Sequence, residues 1–237
     1  YRFNVTRPPF DDVRVRRAFA MAIDRESLVR NVLKGGQRPA DCFTPPDTAG
    51  YTCSSAVPFD PGAARVLLAE AGYPEGRGLP TVELVYNTSE NHKLIAEAVQ
   101  QMWKVNLGVD VDLLNQDWKV YLDSMRNLDY GVARSGWIAD YVDPNNFLEC
   151  FLTGNGNNRT GYASEAYDAL IAKANATIDP RERLAVFQEA EKLLLEDCPF
   201  APLYFYTRIY LKSTAVHGWQ PNMLGFIPFK QLRIATE

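Results

Sequence analysis

The sequence predicts an α/β domain, and three observations carry that reading. Thr81-Val82-Glu83-Leu84-Val85-Tyr86 alternates as a half-buried strand does, then gives way to a helical period and a second strand, Val109 to Leu114. Helix-start and helix-stop residues recur, as at Asp60-Pro61 and Gly72. A balance of 46% hydrophobic to 23% charged residues suits a folded domain that buries a sizeable core.

The elements follow in order. Tyr1 to Val5 reads as a short strand ahead of Pro8-Pro9, and Asp11-Asp12 starts a helix with Val15, Ala18, Phe19, Ala22 and Ile23 at helical spacing. Asp24 caps a second helix through Leu28, Val29 and Leu33, which Gly35-Gly36 ends. A Pro/Gly/Thr-rich loop bracketed by Cys42 and Cys53 comes next, then a helix from Ala63 to Ala71. The helix after Ser89 carries Ile95, Ala98, Val99, Met102 and Val105 on one face and closes at Gly108. A helix near Trp118 to Met125 and a strand, Tyr130 to Arg134, repeat the strand-helix-strand unit, whose long connections favour parallel pairing. Pro144 to Leu152 reads as a short helix, and Gly154 to Asn158 as a turn-rich loop. Ser164 to Ala176 and Asp179 to Asp197 are two more helices. In the second, Leu184, Phe187, Ala190 and Leu194 form the buried stripe, and Glu182 can return a hydrogen bond to the cap. Leu203 to Tyr210 and Phe229 to Ile234 read as strands.

Several function classes lack their residues. The formal charge is −4 with Lys and Arg scattered, which argues against a nucleic-acid partner. No apolar run approaches the ~20 residues of a bilayer span, and Tyr1-Arg2-Phe3-Asn4 is neither an initiator nor a leader, so the expectation is a soluble chain cut from a longer one. There is no Gly-x-Ser-x-Gly, no phosphate-cradling loop and no His-Glu-x-x-His, and His92 and His217 are the only histidines. Neither a cofactor nor a metal is expected. The acid pairs Asp11-Asp12 and Asp140/Asp143 are explained by helix capping, which leaves a hydrolase as the alternative of a different class. A disulfide between Cys42 and Cys53 would order their loop, two unrelated buried thiols being the other reading. Cys150 with Cys198 is a possible second pair.

Arg134-Ser135-Gly136-Trp137-Ile138-Ala139-Asp140 follows a predicted strand, at the carboxyl end where open α/β sheets bind ligands. An Arg fork and a carboxylate separated by Gly136 and an indole can pair with both ends of a zwitterion. On spacing alone, a surface ion pair beside a core Trp is the simpler account.

A resemblance decides between them. Tyr1-x-Phe3-Asn4, the run Pro8 to Arg16, Ala22-Ile23-Asp24-Arg25 and Thr44-Pro45-Pro46 resemble, in order, the second half of the oligopeptide-binding proteins of bacterial ABC importers. So do Leu68-Ala69-Glu70-Ala71-Gly72-Tyr73, Tyr86-Asn87-Thr88-Ser89, Asn106-Leu107-Gly108-Val109, Gln116-Asp117-Trp118 and the segment from Arg134 to Pro144. The resemblance implies the carboxy-terminal lobe of a two-lobed periplasmic-binding-protein-like fold of class II type, a mixed sheet flanked by helices. Residues 1–5 would be a crossover strand, 6–203 the ligand-binding lobe, and 204–237 a second crossover returning to an amino-terminal lobe absent from this chain. It implies a periplasmic or cell-surface solute-binding component that captures peptides and hands them to permease subunits with separate ATPases. By position, Asp140 would receive the peptide α-ammonium, and Arg134 and His92 would meet the carboxylates of peptides of different length. Trp118 and Trp137 would line side-chain pockets, with Gly136 and Tyr206 completing the binding set. A position that many relatives hold with Arg falls on Met125, beside Arg126, and Ile138 stands where a relative has cysteine. Nickel, haem or a sugar is the alternative ligand on the same fold.

Overall fold

A computed structural model describes residues 1–222 and 224–235. Strand β1 (Arg2–Phe3) precedes helix α1 (Val13–Met21), whose cap is Asp12, accepting from the Arg14 N–H at 2.8 Å. Val15, Ala18, Phe19, Ala22 and Ile23 are all buried, so the predicted stripe is the packed face. Helix α2 (Arg25–Ser27), capped by Asp24, runs into a π-helical turn, Leu28–Leu33. It ends at Lys34, left-handed with φ 54°, one residue ahead of the expected Gly35-Gly36. Next come β2 (Arg38–Pro39), α3 (Pro61–Glu70), β3 (Val82–Asn87), α4 (Glu90–Leu107), β4 (Val111–Gln116) and α5 (Trp118–Arg126). They are followed by β5 (Val132–Ala133), α6 (Asn145–Leu148) with a 3-10 turn (Glu149–Phe151), α7 (Glu165–Ala176) and α8 (Pro180–Asp197). The short strands β6 (Tyr204–Phe205), β7 (Val216–His217) and β8 (Arg233–Ile234) come last.

The main sheet has the order β1-β5-β3-β4. β3 runs parallel to both β4 and β5, and β1 runs antiparallel to β5, which makes a mixed sheet flanked by helices. Four expected strands are shorter than predicted, and of Tyr130 to Arg134 only Val132–Ala133 is ladder. Tyr1 to Val5 keeps only Arg2–Phe3 as ladder, although Asn4 and Val5 still donate to Gly131 and Thr160 carbonyls at 2.9 Å each. Leu203 to Tyr210 keeps only Tyr204–Phe205, because its partner β2 is Arg38 and Pro39 and a proline offers no N–H. Phe229 to Ile234 opens with a 3-10 turn, and only Arg233–Ile234 pairs, against β7. Met223, Thr236 and Glu237 of the expected 204–237 segment lie outside the described residues.

The core joins sheet and helices through aromatics. Phe3 stacks on Phe10 at 5.0 Å, Phe10 meets Phe19 edge-on at 5.2 Å, and Phe19 meets Trp103 at 5.0 Å. Trp103 also turns α4. Its indole is fully buried and donates to the Phe19 carbonyl at 2.8 Å, so the packed face is Ile95, Ala96, Val99, Trp103 and Leu107. Val105 is 69% exposed, and Ala98 and Met102 are half-buried, which corrects the predicted face. The largest apolar group sets the rotation of the helix.

Three buried arginines bond backbone carbonyls instead of carboxylates, Arg2 donating to Asn157 at 2.8 Å. Arg16 donates to Phe10 and Asp11 at 2.8 and 3.1 Å and to Asp197 and Cys198 at 3.0 and 3.1 Å, closing the carboxyl end of α8. Arg25 donates to Pro202, Ile23 and Ala20 at 2.7, 3.2 and 2.9 Å. Burial lowers Arg25 to about 10, which leaves it cationic at neutral pH. Glu191 of α8 is a buried carboxyl group. Its Oε1 accepts from the Phe43 and Thr44 N–H groups at 2.8 Å each, and its Oε2 from the Tyr51 hydroxyl at 2.7 Å.

Candidate functional site

Because β3, β4 and β5 are parallel, their carboxyl ends share one edge, where Asn87, Asp117 and Arg134 emerge. The Arg134 N–H donates to Val85 at 2.7 Å, which holds it in register one residue beyond β5. Its guanidinium donates to Asn87 Oδ1 at 3.4 Å and to the Tyr206 hydroxyl, and the Tyr121 hydroxyl donates to its carbonyl. His92, in the first turn of α4, donates from Nδ1 to the Asn87 carbonyl at 3.1 Å, since a carbonyl only accepts. Partial burial and the Arg134 charge hold this imidazole below its ordinary pKa against the opposing bond to Asn87, so it is neutral at pH 7. A Cβ at Gly136 would stand 3.4 Å from Arg134 Nη2 and 3.6 Å from the Tyr206 ring, so any larger residue would wedge between them and the solvent. Arg134, His92, Gly136 and Tyr206 are thus gathered at one place.

Trp118 opens α5 behind its cap Asp117, which accepts from Lys119 and Val120 at 2.9 and 3.2 Å. Its indole stacks on Tyr121 at 5.5 Å yet stays 57% exposed, an apolar platform at the sheet edge. Trp137 is half-buried, and its Nε1 donates to Asn146 Oδ1 at 3.0 Å. The same oxygen accepts the Asp140 N–H at 3.1 Å. Asn146, buried on α6, therefore fixes both the indole and the backbone that carries the exposed Asp140 carboxylate. Asp143 anchors the loop at its far end through a bidentate pair with Arg183, 2.8 Å at each contact. Burial pushes the Asp143 carboxyl up, but the bonds from Arg183 and Asn145 outweigh it and leave it below the usual range. Among the described residues Arg134 and Asp140 join no ion pair, so the surface pair suggested by spacing is not formed.

Asn87, Tyr121, Asn146 and Arg183 were not predicted as part of the site. Asn87 alone had a signal, lying in the Tyr86-Asn87-Thr88-Ser89 motif at a strand end. Met125 is buried, and Arg126 pairs with Asp123 at 2.9 Å on the exposed side of α5. Ile138 is 72% exposed. No sulfur–sulfur bond joins any of the four cysteines in this structure. Cys42 and Cys53 come together with Glu191, their sulfurs and a carboxylate oxygen all within 4.8 Å of one another. Cys150 and Cys198 donate to different carbonyls, those of Asn146 and Phe200, at 3.5 and 3.4 Å, which leaves the suggested second pair without support.

Comparison with known proteins places this geometry in a family. Residues 1–159 match the middle region of the bacterial extracellular solute-binding proteins, family 5. The chain is 39% identical to the dipeptide-binding protein DppE of Bacillus subtilis over 97% of its length and 44% of that protein's. It is 41% identical to the periplasmic murein peptide-binding protein MppA of Escherichia coli, over 94% of this chain and 42% of that one. The solved structure of Haemophilus influenzae OppA in complex with RPPGFSPFR superposes with a TM-score of 0.88 at 34% identity, covering 98% of this chain and 47% of that one. The chain spans less than half the length of these relatives. By its sequence and its fold, the chain belongs to the bacterial extracellular solute-binding proteins of family 5.

Proposed function

We propose that this chain is the carboxy-terminal, ligand-facing part of an extracytoplasmic protein that captures oligopeptides by backbone and termini and delivers them to an ABC permease. One observation carries the reading: Arg134, His92, Trp118, Gly136 and Tyr206 converge on the carboxyl edge of parallel strands, beside a loop that presents Asp140 unpaired. Relatives named for dipeptides and murein peptide support it, as does the peptide complex of the superposed structure. Asp140 then receives the peptide ammonium, and Arg134 its carboxylate or backbone, with neutral His92 as a further hydrogen-bonding group. Trp118 and Trp137 supply apolar contact that tolerates many side chains, and bridging waters fill what remains. Residues 1–5 and 204–237 act as crossovers to a second lobe, whose closure desolvates the ligand. No bond is made or broken, and transport is powered by separate ATPase chains. Among the described residues no helix is long and apolar enough to cross a membrane, in keeping with a periplasmic or surface-tethered protein.

The test uses the full-length protein. Asp140→Asn is expected to weaken binding of a free peptide by about 2 kcal/mol, because an enclosed ammonium loses its charged partner. N-acetylated peptides should bind the parent poorly and lose much less on mutation. Equal losses for free and acetylated peptides would make Asp140 a structural residue. Native mass spectrometry of the protein as purified identifies the ligand class, and a metal, haem or sugar mass in place of peptide would overturn the proposal.

A further inference from the structure

We propose that Cys42 and Cys53 are joined by a disulfide whose ring is a clasp for the buried Glu191 carboxylate. The sulfurs lie close together at the foot of a loop on α8, and every group that bonds Glu191 comes from between them: the Phe43 N–H, the Thr44 N–H and the Tyr51 hydroxyl. Apart from bonds to Phe187 and Gln188 of α8, three further bonds close within that interval. Thr48 donates to the Pro45 carbonyl at 2.7 Å, the Tyr51 N–H to Thr48 at 2.9 Å, and the Asp47 N–H to Thr52 at 3.0 Å. Asp47 and Ala49 are left-handed, with φ of 64° and 49°, a conformation that costs a non-glycine residue about 1 kcal/mol. Phe43 and Tyr51 anchor the two ends of the segment in the core, and a cross-link at its foot holds the left-handed turn between them.

A metal fits less well. The Glu191 oxygens already accept three hydrogen bonds, which leaves two thiols for a site that a closed zinc centre fills with four ligands. The bond forms by exchange with the disulfide of a thiol oxidoreductase outside the cytoplasm. The Cys53 thiolate, from the more exposed cysteine, attacks that disulfide and releases one oxidoreductase thiol. Cys42 then displaces the second, so the pair loses two electrons and two protons and the oxidant becomes a dithiol. In the docked loop a hydrogen bond with Cys53, then burial, push the Cys42 thiol up and make it a poor nucleophile. Closure therefore precedes docking on Glu191.

The location rests on the proposed function, so pairing is tested both in protein isolated without reductant and in protein refolded in a glutathione redox buffer. Alkylation in denaturant should mark Cys150 and Cys198 only, and the peptide carrying Cys42 and Cys53 should be lighter by a pair of hydrogens until reduced. Reductant should raise the unfolded population on the order of a hundredfold in the parent and leave a Cys42→Ser/Cys53→Ser variant unmoved. Amide exchange at Phe43 and Thr44 should quicken on reduction while α5 is unchanged. Four alkylated cysteines in both preparations, or a stoichiometric metal held by the two thiols, would overturn the disulfide. Unaltered exchange at Phe43 and Thr44 would overturn the clasp. Peptide affinity is read separately, so failure here leaves the transport reading standing.

Discussion

Glu191 lies on the apolar stripe of α8 with Phe187, Ala190 and Leu194, where the helical period asks for an aliphatic side chain. Burial raises its pKa, opposed by the bonds from Thr44, Tyr51 and Phe43. The folded state then holds this proton more tightly than the unfolded chain, so its contribution is largest in acid and is lost as pH rises above the ordinary carboxylate value. Glu191→Gln keeps an acceptor for the two N–H groups and removes the charge. Its stability relative to the parent should rise as pH increases from about 4.3, the ordinary glutamate value. Glu191→Ala should cost about 3 kcal/mol or more, since three buried donors lose their acceptor at about 1–3 kcal/mol each. Urea titrations of the three proteins across pH check both outcomes. None of this was legible in the sequence. A charged residue inside an apolar stripe reads as the edge of the stripe, and the partners of Glu191 stand some 140 residues away along the chain. Arg16 and Arg25 were missed for the same reason, because their carbonyl partners come from the far end of α8 and from Pro202.

At the scale of elements, starts were legible and lengths were not. Capping is local, and Asp12, Asp24, Asp60, Ser164 and Asp179 each accept from the first turn of the helix they precede. Strand length is set by the partner, as the two-residue β2 shows for β6, and the sequence of one strand carries no record of the other's extent. The face of α4 lay between these cases. Apolar residues stand on several sides of that helix, and only the pocket for Trp103 selects among them. Its end supplies a further prediction. Gly108 has φ 74°, and a Cβ there would stand 2.7 Å from the Glu75 carbonyl oxygen, whereas Gly72 has φ 96° and open space. Gly72→Ala should cost about 1 kcal/mol for the left-handed backbone alone. Gly108→Ala should cost clearly more, because the clash is with backbone. Equal urea midpoints for the two variants would show that the 74–76 turn yields.

For the whole molecule, the parallel pairing of the middle strands was legible in the strand-helix-strand pattern and the gathering of site residues at one edge through the family resemblance, whereas the strand order and the supports behind that edge were not. The last segment carries exposed Ile209, Leu211, Phe226, Phe229 and Ile234, an apolar surface that is uncovered among the described residues. This chain should fold cooperatively on its own helices and sheet. A peptide would nonetheless meet Asp140 and Arg134 on an open, wet face, where an ion pair is worth about 1 kcal/mol or less. Calorimetry against mixed peptides should find no binding tighter than roughly millimolar, and micromolar binding by this chain alone would overturn the two-lobe account. The bonds between early and late residues set a schedule as well as a shape. Phe3 donates to Pro199 at 2.9 Å, Ala201 to Tyr1 at 2.7 Å, and Arg16 and Arg25 reach Asp197 and Pro202. At ribosomal speeds of roughly 5–20 residues per second, the partners of β1 and α1 are made some ten to forty seconds after them. Until then β1 and α1 can pack only on earlier partners, α3, Trp103 and β5, so the seam with the end of α8 is the last part of this core to be sealed.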